Sequence, residues 1–420
     1  MKNKIKILSS IGILMLLMSC STTKPDLVEI VGRRKTENIS NLENNRILND
    51  KELESKVFDR KYRNVNKNLR GVWVSTAFNL DFPHTTPYNM QKQKEEIDEI
   101  VANTKKWGLN AIFLQVKPFD SVIYPSKEHP FDKSITGYKG ADPGYDVLQY
   151  FITKAHENGI ELHAWLNPYR ATPTTDLSKV SSKNVANLHK DWVFSYGGKY
   201  YLNPAKREVV ERLYKNIEEI VKNYDVDGLH LDDYFYPYPY NGEKLPEFDR
   251  KEFEAQNKYA TIGDFRRANV DELIKNLSVS VHKIKPRLSF GISPFGIYRN
   301  ISSDERGSFT SGLQTYDTLY ADVVKWMENG WIDYVAPQIY WKIGNKTADY
   351  TTLVNWWSNI SRKTDTPLYI GEGVYKEDTW PKGEVKRHGE IRKRTPNVDG
   401  YILFRYGVLK KNPSIVEDIR

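Results

Sequence analysis

The chain has 420 residues, with 62 Lys and Arg against 54 Asp and Glu, for a formal net charge of +8. Its length allows two or three domains or one large α/β barrel with additions, and 39% hydrophobic with 28% charged residues describes a chain that buries a sizeable core. A single cysteine excludes an internal disulfide framework and a Cys-based structural zinc site, and basic residues interleaved with acidic ones argue against a nucleic-acid partner.

In chain order, Lys2, Lys4 and Lys6 form a positive start and Ile7 to Met18 an apolar stretch too short to span a bilayer comfortably. It ends in Leu17-Met18-Ser19-Cys20, which resembles the bacterial lipobox, so residues 1–19 read as a lipoprotein signal peptide and Cys20 as the lipidated residue. The expected address is the extracytoplasmic side of a bacterial membrane, reached through an N-terminal lipid. Residues 20–66, rich in Asn, Lys, Glu and Asp without a sustained apolar face, read as a tether. Residues 67–420 read as the folded domain.

There, short strand-like runs alternate with helical ones. The strand candidates are Gly71–Ser75, Ala111–Val116, Glu161–Leu166, Gly228–Asp232, Leu288–Ser293, Tyr334–Gln338, Leu368–Gly371 and Tyr401–Phe404. Helical periodicity runs through Ile97, Ile100, Val101, Thr104 and Trp107, through Val210, Leu213, Ile217, Ile220 and Val221, and through Val270, Leu273, Ile274, Leu277 and Val281. Trp107-Gly108-Leu109-Asn110 and Glu157-Asn158-Gly159-Ile160 read as Gly/Asn helix stops just before a strand. A last short helix is expected over 412–420. Eight such alternations predict an α/β fold, a (β/α)8 TIM-type barrel with enlarged βα loops. The rival, a doubly wound sheet, lacks a glycine-rich phosphate loop after the first strand.

In a barrel of this kind chemistry sits where strands end. The unusual residues collect there: Gln115, Lys117 and Asp120 after strand two; His163, Trp165, Asn167, Tyr169 and Arg170 at strand three; His230, Asp232, Asp233, Tyr234 and Tyr236 at strand four; Arg299 after strand five; Gln338, Tyr340 and Trp341 at strand six; Glu372 at strand seven. Rings beside amides and carboxylates suit a sugar, whose CH faces stack and whose hydroxyls hydrogen-bond. Glycoside hydrolysis needs paired carboxyl groups. Asp232 is the strongest candidate, with Asp233 and Glu372 next; strand alternation puts His230, Asp232 and Tyr234 on one face and Asp233 on the other, unless the backbone turns. No cofactor is called for. A metal site would require His163 and His230 to converge through space, since no H-E-x-x-H is present.

The stretches Arg70-Gly71-Val72-Trp73, 163–170 (HAWLNPYR), 230–237 (HLDDYFYP), Ser293-Pro294-Phe295-Gly296 and 336–341 (APQIYW) resemble glycosyl-hydrolase-like family ten, mostly bacterial envelope lipoproteins and secreted proteins. The resemblance runs from about Leu69 to about Phe404 and implies a barrel glycosidase. Its best-understood kind is a division-associated enzyme that cleaves peptidoglycan glycan strands stripped of stem peptides. It also implies a strand-four carboxylate at Asp232, through Asp227-Gly228-Leu229-His230-Leu231-Asp232. Tyr234 stands where chitinase-type barrels carry their acid, so Asp233, Glu372 or an acid on one of the loops must supply the proton. On an acetamido sugar, Asp232 and Asp233 would act as orienting base and acid. Two other readings stand beside this one: a non-catalytic carbohydrate-binding barrel that recruits wall-remodelling proteins, and a metal-dependent polysaccharide deacetylase.

Overall fold

The computed structural model describes residue 58 and residues 63–85 and 87–420. The signal peptide, Cys20 and most of the tether lie outside these residues. The strands, in chain order, are β1 (Leu69–Val74), β2 (Ala111–Lys117), β3 (Glu161–Leu166), β4 (Arg170–Thr172), β5 (Val193–Tyr196), β6 (Lys199–Leu202), β7 (Gly228–Leu231), β8 (Ser289–Ile292), β9 (Tyr334–Val335), β10 (Gln338–Ile339), β11 (Tyr369–Glu372) and β12 (Gly400–Leu403). Nine of them form one parallel sheet in the order β10-β11-β12-β1-β2-β3-β7-β8-β9. The two ends of that order, β9 and β10, are halves of a single strand parted by Ala336 and Pro337, a proline having no N–H for the ladder. A parallel bridge from Val335 to Leu368, beside the β10–β11 pairing of Gln338 with Gly371, closes the cylinder into the expected eight-stranded α/β barrel. The remaining strands make a small antiparallel sheet, β4-β6-β5, inside the long loop after β3.

Each strand turns one row of side chains outward to the helices and one inward. Outward rows such as Ile112, Leu114 and Val116 join the main core with helix stripes: Ile97, Ile100 and Val101 of α1 (Met90–Lys106), and Leu213, Ile217, Ile220 and Val221 of α2 (Arg207–Asn223). In α2 the buried first-turn valine is Val209 rather than Val210, because the stripe begins one residue earlier. Burial of each such side chain stabilises by about 1.5–3 kcal/mol. Asn89, Asp146, Thr261 and Asp349 cap their helices by accepting backbone N–H groups, and Gly108 and Gly159 end helices at φ +63° and +68°, as the Gly stops in the sequence predict. The chain ends on two short helices, Tyr406–Lys411 and Ser414–Ile419, where the sequence suggested one, because Asn412-Pro413 breaks the run.

The barrel interior is aromatic. Leu69, Trp73, Ala111, Phe113, Trp165, Tyr334, Tyr369 and Ile402 form a cluster separate from the outer core. Such bulk fits because neighbouring positions are glycine: a Cβ on Gly228 would sit 2.0 Å from His163 Nδ1, and one on Gly291 2.2 Å from the Tyr334 ring. The domain begins earlier than residue 67. Arg63 Nε donates to Asp333 at 3.1 Å, Asn66 Nδ2 donates to Glu161 at 2.9 Å, and Val65 packs on the interior cluster. Residues 63–66 thus plug the N-terminal mouth of the barrel instead of belonging to the tether, a role their polar composition concealed.

A carboxylate pair at the barrel rim

The row β3 sends inward rises from His163 through Trp165 to Asn167, and that of β7 from His230 to Asp232. Trp165 Nε1 donates to Asp232 Oδ2 at 3.1 Å, Asn167 Nδ2 donates to the same oxygen, and the Tyr234 N–H donates to Oδ1 at 3.2 Å. Asn167 is itself oriented by Gln115, whose Nε2 donates to Asn167 Oδ1 while its Oε1 accepts from Ser75 Oγ and the N–H groups of Thr76 and Ala77. Beyond β7 the backbone turns, so Asp233 joins Asp232 at the rim; Tyr238 Oη donates to Asp233 Oδ2, and the Gln338 side chain, whose Nε2 donates to the Ser293 carbonyl at 2.9 Å, lies near enough to act on the same carboxylate. Both carboxyls are buried. Burial pushes each well above the usual carboxylate range, the neighbouring Asp233 pushes Asp232 further, and Arg170 opposes both shifts. Two adjacent carboxyls in that state share a proton between them. The pair therefore holds an acid beside an oriented base.

Arg170 lies over the Tyr234 ring at 3.7 Å, anchored at the start of β4. The rings of Tyr234 and Tyr238 lie 5.3 Å apart, Tyr238 and Phe295 5.9 Å, and Phe295 and Trp341 5.3 Å, a continuous half-buried wall beside Asp233. Tyr340 stacks at 5.8 Å on Phe404, whose position at the top of β12 turns it toward the barrel axis. Lys117 is buried beneath this rim, its Nζ donating to the Asn167 carbonyl at 3.4 Å, and burial lowers its ammonium to about 8 against the pull of Asp120. Tyr238 and Phe295 were not among the candidates. Their signal was present, in the tyrosine run of residues 234–240 and the Pro294-Phe295-Gly296 turn, but which ring faces the pair depends on how each loop folds back.

Other candidates lie elsewhere. His163 and His230 are packed inside the barrel: His163 stacks on Phe113 at 4.4 Å and bonds Glu161 and the Tyr334 hydroxyl, and His230 bonds Tyr334 Oη at 3.0 Å and Ser293 Oγ at 2.9 Å. Burial, then His163, pushes His230 well down, so it stays neutral. Both are interior residues, not rim ligands, because His230 lies two places below the rim residue Asp232 and His163 four below Asn167, a full layer or more down. Among the described residues no group of three His, Cys, Asp or Glu side chains is arranged to hold a metal ion. Tyr169 and Tyr236 are buried in the core, Tyr236 edge-on to Tyr320 at 5.1 Å, so neither reaches the rim. Arg299 is held by Asp304 and Asp317 at 2.7 and 2.8 Å on the loop after β8.

Asp120 is fully enclosed. Arg212 Nε donates to it at 3.0 Å, His129 Nδ1 lies 3.0 Å away, and the Val185 N–H donates at 2.9 Å. Against the upward push of burial, His129, Arg212 and Lys117 hold its carboxyl well below the usual range. Asp120 therefore clamps loops together and is no rim ligand. Glu372 faces the helices, because alternation along β11 turns Tyr369 and Gly371 inward and Ile370 and Glu372 outward. Tyr350 Oη donates to Glu372 Oε1 at 2.6 Å, and His388 Nδ1 lies 3.2 Å from Oε2. Glu372→Gln keeps both contacts, so kcat is expected to stay within about twofold of wild type, whereas loss of a working general acid costs about 10²–10⁴-fold; a steady-state assay decides.

The sequence model of the family described as Glycosyl hydrolase-like 10 matches residues 68–383. The chain is 40% identical over 360 residues to the glycosyl hydrolase YngK of Bacillus subtilis (strain 168), covering 84% of this chain and 71% of that protein. It is 35% identical over 374 residues to the glycosyl hydrolase DigH of Escherichia coli (strain K12), covering 82% and 84%. Among solved structures, the glycoside hydrolase domain of PgaB (BpsB) from Bordetella bronchiseptica superposes with a TM-score of 0.53 at 11% identity, covering 83% of this chain and 97% of that one. The alpha-L-fucosidase isoenzyme 2 from Paenibacillus thiaminolyticus gives 0.53 at 14% identity, over 84% of this chain and 48% of that one. These structural likenesses show the barrel fold.

Proposed function

The chain belongs to the glycosyl hydrolase-like 10 family, and from that membership we propose that it is a lipid-anchored envelope glycosidase cutting peptidoglycan glycan strands, or a related acetamido-sugar polymer. The observation that carries a hydrolytic role is the buried Asp232–Asp233 pair, raised in pKa and walled by aromatic rings. Asp232, fixed by Trp165, Asn167 and the Tyr234 N–H, orients the substrate's acetamide so that its oxygen attacks the anomeric carbon. As that C–O bond forms, the glycosidic C–O bond breaks and Asp233 gives its proton to the leaving oxygen. Water then opens the cyclic intermediate while Asp233 takes a proton back. Trp341, Tyr340, Tyr234 and Tyr238 supply ring faces for neighbouring sugars, and Gln338 and Arg170 supply donors. Cys20 would carry the lipid that keeps the enzyme at the membrane surface.

Incubation of the full chain with peptide-free glycan strands, read by mass spectrometry, is expected to yield shorter saccharides that vanish with Asp232→Asn. Intact strands that co-sediment with the protein would favour a binding barrel, and loss of acetyl groups blocked by a chelator would favour a deacetylase. Labelling of cells with radioactive palmitate is expected to mark the wild-type chain and to be lost in Cys20→Ala; labelling of neither would sink the anchor.

A further inference from the structure

A second concavity lies on the same face of the barrel, away from the carboxylate pair. It measures about 510 Å³ and is walled by the loops after β1 and β2 and the segment after β3, with Phe78, Tyr88, Phe119, Phe131 and Tyr138 among its lining side chains and Lys133 on its edge. Pockets of this size hold small ligands. Its walls are built in advance. Asn79 Nδ2 donates to the carbonyls of Pro83 at 2.7 Å and Ser134 at 2.9 Å, which ties the first loop to the second. Asp132, buried in the wall, accepts from Ser121 Oγ and from the Ser134 N–H at 2.8 Å.

Two features are costly for a merely structural loop. Phe78 and Asn79 both adopt left-handed backbone, at φ 56° and 53°, a region a bulky aromatic residue avoids. That strain holds the Phe78 ring out in solvent, 61% exposed and edge-on to Phe119 at 5.7 Å, with Tyr138 75% exposed on the opposite loop. Burying these rings would be favourable, so their exposure around a preformed groove marks a surface awaiting a ligand with apolar faces. The loop that carries Phe78 is also tied to the pair by hydrogen bonds: the residue preceding Phe78 donates its N–H to Gln115 at 2.9 Å, and Gln115 holds Asn167, which holds Asp232.

We propose that this groove is a remote saccharide subsite, in which Phe78 and Tyr138 stack on pyranose rings of the same glycan several residues from the cleavage point, giving the protein a preference for long chains. The inference rests on the reading of the substrate as a glycan and adds where the far end of that glycan lies. Rings of this kind gain from CH faces regardless of substitution, while Lys133 offers a donor to hydroxyl or carboxylate groups at the edge.

The test is equilibrium binding of soluble glycan oligosaccharides of increasing length, by calorimetry, to the full chain carrying Asp233→Asn so that nothing is consumed. An octasaccharide is expected to bind about tenfold more tightly than a tetrasaccharide. Adding Phe78→Ala and Tyr138→Ala should remove that gain and leave the tetrasaccharide affinity unchanged, and Tyr138→Ala alone, at a solvent-exposed ring, should remove part of it without a change in melting temperature. A length dependence that survives both substitutions, or none at the outset, would overturn the subsite. Binding that shows the predicted length dependence without hydrolysis by the wild-type chain would sink the catalytic reading alone.

Discussion

Asp233→Asn is expected to lower kcat on glycan strands by about 10²–10⁴-fold, while an aryl glycoside with an acidic leaving group loses far less. The reason is the division of labour in the pair. Asp232, fixed by three N–H donors, is the group assigned to orient the acetamide, and Asp233, held by the Tyr238 hydroxyl, is the carboxyl assigned to deliver the shared proton. Asparagine keeps the shape and removes the proton, so the loss appears only where the leaving oxygen needs protonation. An equal loss on both substrates would refute this assignment. The pH dependence has a definite sign. Both carboxyls are raised above their unfolded values, so the acid form persists into the neutral range and activity falls as pH rises through it. The same shifts mean the folded state binds more protons than the unfolded chain above the ordinary carboxylate value. Stability therefore falls as pH rises there, and Asp232→Asn, whose amide oxygen still accepts from Trp165 and Asn167, should raise the melting temperature at pH 8 while abolishing cleavage.

Asp120→Ala is expected to act in the opposite way, destabilising the domain by about 3–5 kcal/mol, which lowers the melting temperature by about 5 °C for a domain of this size. The substitution leaves Arg212 and the buried Lys117 without their shared counter-charge and the Val185 N–H without its acceptor. Its carboxyl is depressed in the folded state, so its contribution is present above the unfolded carboxylate value and is lost as pH falls through the folded one. Thermal melts at pH 7 and pH 3 should show a large gap between wild type and variant at the first and a smaller one at the second. A variant as stable as wild type but 10²-fold slower would return Asp120 to the substrate.

The difference between Asp120 and Asp233 shows how far residue type leads. Both are acidic residues near strand ends with aromatic neighbours, and both qualified on sequence. One is surrounded by an arginine and a histidine brought from residues 212 and 129, the other by a tyrosine and a glutamine from residues 238 and 338. Those surroundings, assembled across the fold, decide which carboxyl is held well below the usual range and which burial leaves above it. Glu372 is a different case. Its outward direction follows from simple alternation with Ile370, and a count of that parity places it among the helices without coordinates. The same count puts His163 and His230 on the inward face, but how deep in the barrel each sits follows from the register between β3 and β7, where His163 pairs with Gly228 and Trp165 with His230.

What the sequence by itself determined is the barrel, the place of its eight strands, the glycine stops and the adjacency of Asp232 and Asp233 at a strand end. Burial writes a local period into every element, and a strand end is local too. Only the tertiary structure decided that residues 63–66 seal the lower mouth, that Tyr238 and Gln338 complete the pair, and that three loops far apart in the chain raise Phe78 and Tyr138 around a second groove. Apart from the Tyr238–Asp233 contact inside one loop, these depend on residues tens to hundreds of positions apart, and all of them on loops whose paths no periodicity constrains.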